Sequence, residues 1–454
     1  MAYNAVYIGM GVGMIIYVRL AERFSNKALV LTGLFTMLLM NIICATVENP
    51  ILAIAATLLL GFGKILALGE IYLAWLNIWS KKMETAKLYP FFYFIALAGL
   101  YFMTWLTAFF TKIFDWHYAY IIILILILVC IILTIVFVEN HKLKKKIPLY
   151  QLDAIGVLLF VSMLMLINYV ATYGKVEDWF ASNRIWAGSF GIVLTGLLFI
   201  KRETLVKRPF FDLSLCKTPQ FSSGLLYLIF LGMLLPATFQ SSLSGAVLHF
   251  ESIRNSELSL YLVPGIITGC IGSYFWYKMN YDGQLLMIIG FITFVIYYLM
   301  LYNSYINDLN INAFWLPSLF KGFALALLYI SIGLYATAKL PFPTVLKANG
   351  IVVVTRSFVA SGVFSGLYNY FLYASRIKHL SRLASVIDAN DPLILQYGTN
   401  SAYANNIQQQ ATLTALKELS GYILIISLAF TIFLIGLYLY KRVKHANQPI
   451  IVAS

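Results

Sequence analysis

Charge is what this chain has least of. Only 11% of its 454 residues are Asp, Glu, Lys or Arg, and 61% are hydrophobic. A soluble protein carries about 25% charged residues, so a soluble enzyme and a disordered chain are both excluded. Cysteine is scarce as well. Cys44, Cys130, Cys216 and Cys270 are scattered with no C-x-x-C spacing, which excludes a disulfide framework or a zinc site. The five histidines are equally dispersed, and no metal or cofactor is expected. Nothing after Met1 shows a basic region, a short apolar stretch and a cleavage site in that order, so no signal peptide is expected.

Apolar length, by contrast, is abundant, and the mean hydropathy is +0.84. Hydrophobic runs fall at about 2–18, 28–47, 51–79, 88–111, 118–138, 151–173, 185–200, 221–248, 257–277, 284–302, 311–338, 348–373 and 421–440. Each is near or above the roughly 20 residues a helix needs to cross a bilayer. The sequence therefore predicts an all-α polytopic membrane protein with about thirteen transmembrane helices.

The net charge of +14 would suggest a nucleic-acid partner on a soluble domain. Here alternating spans account for it. One set of loops carries 21 of the 32 Lys and Arg residues, the other set 8, and three remain inside spans. The richer set is cytoplasmic by the positive-inside rule, so no nucleic-acid partner is expected. The C-terminus then lies inside, and an odd span count places Met1 outside. One further helix is expected upstream.

Most loops are short. Residues 201–220 link two blocks of spans on the cytoplasmic side. Residues 374–420 form a long external segment in which RIKHLSRLASVIDA and NNIQQQATLTALKEL have helical periodicity, broken by NDP at 390–392. A segment of that length is a candidate docking site for a partner.

Several stretches, in order, resemble the major facilitator superfamily, in particular its 14-span drug/proton antiporter branch of the EmrB/QacA type. RLAERFSNK at 19–27 resembles the cytoplasmic G-x-L-a-D-R-x-G-R-K loop, with Arg19, Glu22, Arg23 and Lys27 matching in kind. FDWHYAY at 114–120 stands where the branch has its W-R-W-x-F element. LDAIGVLL at 152–159 and YGKVEDWF at 173–180 resemble the two ends of an extra helix peculiar to the branch. KRPFFDLSL at 207–215, LVPGI at 262–266 and ANGIVVVTRSF at 348–358 resemble three later elements. Two features depart from the pattern. YFIALAGLYFMTWLTAFF at 93–110 lacks the G-P and G-G steps of the antiporter signature. TLLLG at 57–61 puts Thr57 and Leu60 where the branch has Arg and Gln.

The resemblance implies the major facilitator fold. Two pseudo-symmetric helical bundles, 1–138 and 221–441, would be joined by two linker spans within 139–220, with a cytoplasmic tail at 442–454. The family's first span is the one missing from this alignment. The implied activity is proton-coupled efflux of drugs or amphipathic small molecules by alternating access. The implied setting is the cytoplasmic (inner) membrane of a bacterium. A periplasmic adaptor and an outer-membrane channel could be reached through 374–420.

Ionisable groups deep in spans cost about 2.5–3.5 kcal/mol each on insertion scales and default to functional candidates. Four stand out: Lys64, Glu70, Lys321 and Arg356. On one helix, Lys64 and Glu70 differ by about 240° in azimuth and about 9 Å in height, so they do not pair as i,i+4 neighbours. Three cations face a single acid. Glu70 is the expected proton-coupling group, and Lys64, Lys321 and Arg356 are expected to line the substrate cavity and favour amphipathic or anionic substrates. The competing reading has Glu70 bridging a basic residue and locking helix packing. Pro236, Gln240, Ser241, Ser242 and Ser244 combine a kink signal with a polar patch. Gln240 and Ser241 join the cavity candidates, although hydroxyl residues also serve helix packing in membranes. Arg19, Glu22, Arg23 and Lys27 are expected at a cytoplasmic gate.

A membrane enzyme would need clustered His, Asp, Glu or Cys with compatible roles, and neither Asp115–His117 nor the Glu177–Asp178–Trp179 turn supplies them. An exporter of fatty acids or lipids, and a non-transporting scaffold or sensor, stay open beside the drug exporter.

Overall fold

The computed structural model describes residues 1–79, 85–140, 153–206, 209–236, 238–338, 340, 342–386 and 401–444. The basic cluster at 142–146, the starts of the 152–159 and 207–215 stretches, the NDP turn and the tail beyond 444 lie outside them. The described residues form helices and short turns, with no strand among them.

Helices α1 (Ala2–Ala21), α2 (Asn26–Thr46), α3 (Pro50–Trp79), α4 (Thr85–Ile113) and α5 (His117–Phe137) come first. Helices α6 (Ala154–Tyr173) and α7 (Asn183–Leu205) follow, then α8 (Pro219–Leu234) and α9 (Thr238–Ser242), which continues as a π-helical segment, Leu243–Val247. After them come α10 (Ser252–Leu260), α11 (Val263–Lys278), α12 (Gly283–Asn303) and α13 (Trp315–Thr337). Helix α14 (Phe342–Val353) runs through a second π segment, Val354–Phe364, into α15 (Ser365–Val386), and α16 (Ser401–Lys444) closes the chain.

Thirteen helical runs among the described residues are long and apolar enough to cross a membrane, as the hydropathy pattern predicts. Local chemistry sets many of their starts. Ser25, Asp153 and Asp282 each accept a backbone N–H of the first turn of α2, α6 and α12, which satisfies donors that a helix leaves open at its N-terminus. Pro219 and Pro264 occupy first-turn positions of α8 and α11, where the missing N–H costs nothing. Pro236 interrupts the expected span at 221–248: α8 ends at Leu234 and the helix resumes at Thr238, because proline removes a helical donor and crowds the preceding turn.

The chain divides into two compact units. The first comprises 1–88, 110–235 and 332–366; the second comprises 89–109, 236–331 and 367–454. Within the first unit, α3 packs on α1 and α2, α5 on α2, α6 on α7, and α1 on α14. Lipid tails are as apolar as the helices, so association depends on close packing rather than on burial from water. Gly9 of α1 and Gly61 of α3 supply it: a Cβ on Gly9 would strike the Leu58 carbonyl, and one on Gly61 the Val6 carbonyl. Val30, Leu34, Ala67, Ile127 and Ile131 fill the junction of α2, α3 and α5. Within the second unit α12 lies along α16, and α11 crosses α13.

Candidate functional site

Glu70 and Lys64 both belong to α3 in the first unit, and the structure gives them different surroundings. The Tyr17 hydroxyl donates to Glu70 Oε1 at 3.0 Å. Tyr17 is fully buried beside Leu29, Ile65 and Leu66. Its ring lies where a side chain on Gly69 would stand, 2.7 Å from the position of a Cβ. The glycine beside Glu70 thus makes room for the ring whose hydroxyl holds the acid. Glu70 itself is half-buried, and among the described residues no ion pair joins it to a cation. Lys64 is exposed on the same helix, away from the glycine contacts with α1 and α2. Arg356 is half-buried in the π segment Val354–Phe364, which packs against α1 and α8.

The loop at 19–27 is tied down by carbonyls. Arg19 donates to the Pro209 carbonyl at 3.2 Å, Lys27 to that of Ile135 at 2.7 Å, and Asn26 to that of Glu139 at 3.2 Å. Lys27 therefore sits on the C-terminal turn of α5, where the helix dipole favours a cation. Glu22 and Arg23 are exposed, and the Arg23 guanidinium lies 5.9 Å from the Phe24 ring centre.

A second charged cluster of this unit was not singled out by reading the sequence. Arg202 of α7 grips Asp153 at the start of α6, with Nε to Oδ1 at 2.8 Å and a terminal nitrogen to the same oxygen at 2.6 Å. Burial pushes the Asp153 carboxyl up, but the Arg202 guanidinium and the Gly156 N–H more than offset it and hold it below the usual range. Glu203, 5% exposed, accepts the Phe211 N–H at 3.1 Å through Oε2. These contacts clamp α6 to α7 and anchor the segment that leads to α8. Both acids lie at span edges, where a hydropathy reading counts them as loop charges.

The second unit holds the other candidates. Lys321 of α13 is 4% exposed, and its ammonium lies 5.2 Å from the centre of the Tyr297 ring of α12. One turn earlier, buried Ser318 accepts a 3.4 Å hydrogen bond from the Gln240 amide. Ser241 is exposed and bonds back to the Thr238 carbonyl, while Ser244 is fully buried and returns its hydroxyl to the Gln240 carbonyl. Gln240 and Lys321 thus converge on one stretch of α13, and Ser241 faces elsewhere. Tyr17, Tyr297 and Ser318 carried no signal in the sequence: a tyrosine in a span looks like any of the chain's 31.

The described parts of the 374–420 segment, 374–386 and 401–420, continue membrane helices. Helix α15 runs unbroken to Val386, and α16 is helical from Ser401 through the last span. Glu418 joins the two, accepting from Ser375 at 2.6 Å and Tyr422 at 3.2 Å and bonding His379 Nε2 at 2.7 Å.

Comparison with known proteins places this arrangement. The family description of the Major Facilitator Superfamily matches residues 1–365. The chain belongs to that superfamily. Its fold agrees: an auto-inhibited peptide transporter of the POT family superposes with a TM-score of 0.55, covering 99% of this chain and 88% of that one at 14% identity. The nucleoside transporter NupG gives 0.52 over 94% and 90%, at 14% identity. Among curated sequences it is similar to the multidrug export protein EmrB of Haemophilus influenzae, 24% identical over 53% of this chain and 48% of that protein. The colistin resistance protein EmrB of Acinetobacter baumannii is 23% identical over 70% and 65%. The chain spans from about half to just under two thirds of these relatives' lengths. It is a multi-pass membrane protein of a transporter family, and its relatives are transporters rather than enzymes.

Proposed function

We propose that this chain is a proton-coupled exporter of drugs or other amphipathic small molecules, working by alternating access. The supporting observation is Glu70, the single acid deep in the spans. It is half-buried and held by the Tyr17 hydroxyl, and among the described residues no cation pairs with it. An acid whose charge is not cancelled by a fixed partner is free to exchange a proton, and a hydroxyl partner can serve either protonation state. Lys64, Arg356, Lys321, Gln240 and Ser241 are the substrate-contact candidates. Arg19, bonded to the Pro209 carbonyl of the segment after α7, and Lys27, bonded to the last turn of α5, fit a gate loop with Glu22 and Arg23. The relatives named as multidrug exporters support this cargo class. The setting would be a bacterial inner membrane, and the bias of Lys and Arg toward one set of loops supports a cytoplasmic C-terminus. The 374–420 segment would meet a periplasmic adaptor that leads to an outer-membrane channel.

The test is uphill transport in proteoliposomes, with amphipathic dyes of positive, zero and negative charge. An imposed proton gradient is expected to drive efflux in the wild type and at least about tenfold less in Glu70→Gln, with dye binding retained. Gradient-driven transport that survives Glu70→Gln overturns the coupling role. Absence of substrate-dependent proton flux with every dye overturns the exporter reading in favour of a scaffold or sensor.

A further inference from the structure

Lys321 presents a chemical imbalance that exists within the second unit alone. The residue is 4% exposed, yet among the described residues no carboxylate pairs with its ammonium. Its contact is the face of Tyr297, a weak substitute for a counter-ion. The other polar groups beside it are donors as well. Ser318, one turn away on the same side of α13, accepts from Gln240 and so keeps its own proton to give. Tyr297 and Tyr298 have ring centres 5.0 Å apart. A buried cation, the Ser318 hydroxyl and an amide, set against two edge-on phenol rings, form a donor-rich, aromatic-walled environment with no acid in it among the described residues. Such a site is complementary to an anion carried on a flat apolar body.

We infer that Lys321, with Ser318, Gln240 and Tyr297, is an anion-recognition subsite that takes the carboxylate of an aromatic small molecule. This rests on the exporter reading above and narrows its cargo. The carboxylate supplies the missing charge, and the rings of Tyr297 and Tyr298 receive the aromatic body. The same anionic chemistry is offered by a phospholipid headgroup, and the experiment separates the two sources.

Purified full-length protein in phosphatidylcholine nanodiscs is titrated with 2-naphthoate and with 2-naphthamide, which share a shape and differ in charge. The carboxylate is expected to bind at least about tenfold more tightly. Lys321→Gln should bring the two within about twofold, and Lys321→Arg should keep most of the preference. Equal binding of acid and amide by the wild type overturns the inference, and that arm needs no variant to fold. A preference that persists in Lys321→Gln also overturns it. A third arm adds phosphatidylglycerol to the discs. Unchanged naphthoate affinity supports a soluble carboxylate, and competition by the lipid, abolished in Lys321→Gln, overturns that source in favour of a headgroup. Proton-driven export of the amide without preference for the acid would remove this subsite and leave the exporter standing. Binding of the acid without any coupled transport would do the reverse.

Discussion

The two units solve the same packing problem in the same way and then treat a lysine differently. In the first, Gly9 and Gly61 each face the carbonyl of the residue three places before the other glycine, Leu58 and Val6. In the second, Gly265 and Gly322 repeat the arrangement with the carbonyls of Leu319 and Leu262. Each crossing brings two backbones to a distance that only glycine permits, the device membrane helices use when apolar burial cannot hold them together. Each also has a lysine close by on the second helix, Lys64 three residues after Gly61 and Lys321 just before Gly322. Lys64 is exposed, whereas Lys321 is buried over a tyrosine. A repeated scaffold thus carries unequal chemistry.

The comparison breaks most visibly at the glycines. Gly61→Leu and Gly322→Leu each drive a side chain into a backbone carbonyl, and the cost should reach or exceed the upper end of the usual 1–3 kcal/mol for overpacking, on the order of 3 kcal/mol. Thermal unfolding in detergent should show both variants collapsing by similar amounts. If only one does, the crossings are not equivalent. Next in size is the lysine pair. Lys321→Met removes a buried charge that has no counter-ion among the described residues and should stabilise the unliganded protein by about 1–3 kcal/mol, while Lys64→Met should shift it by less, because Lys64 is less enclosed by its neighbours. Equal shifts for the two would erase the contrast in environment. Tyr17→Phe removes one hydrogen bond to Glu70 and should cost about 1 kcal/mol in the same assay. No change would mean that Glu70 finds another partner.

The smallest effect concerns a charge that is paired. The Asp153 carboxyl is held below its ordinary value in the fold, so its contribution is present above the unfolded value and is lost as pH falls through the folded one. Unfolding temperature should therefore drop below about pH 4, and Asp153→Asn should flatten that acid limb. A limb unchanged in the variant would assign the drop to other carboxylates.

Much of this was legible because helix length and apolar periodicity survive without tertiary knowledge. The span edges read from the sequence agree with the helices to within a few residues over most of the chain, and the helix is interrupted at Pro236. The later spans differ for a physical reason. Hydropathy falls after about 373, but Arg376, Lys378 and Arg382 are compatible with helix, so α15 continues past the apolar limit to Val386. The motifs divide in an instructive way. TLLLG and LVPGI keep the glycines that form the crossings, Gly61 and Gly265, whereas the Arg and Gln positions of the first are gone. The scaffold part of the motif persists where its polar part does not. In LDAIGVLL, Asp153 caps α6, and Gly156 leaves room for the oxygens of Asp153 and Glu203, 2.5 Å and 2.9 Å from where a Cβ would sit. In YGKVEDWF the left-handed backbone at Asp178 and Trp179 folds the indole onto Gly174. Partners across helices, such as Tyr17 for Glu70 and Tyr297 for Lys321, depend on three-dimensional neighbours that spacing along one chain does not encode.

Helix α16 is 44 residues long, or about 66 Å at 1.5 Å per residue, against about 30 Å of hydrocarbon in a bilayer. Glu418 pins it to α15 through Ser375 and His379. The pair behaves as a braced strut rather than a hinged flap. A push or twist applied at its far end would be delivered to the helices in the lipid with little loss.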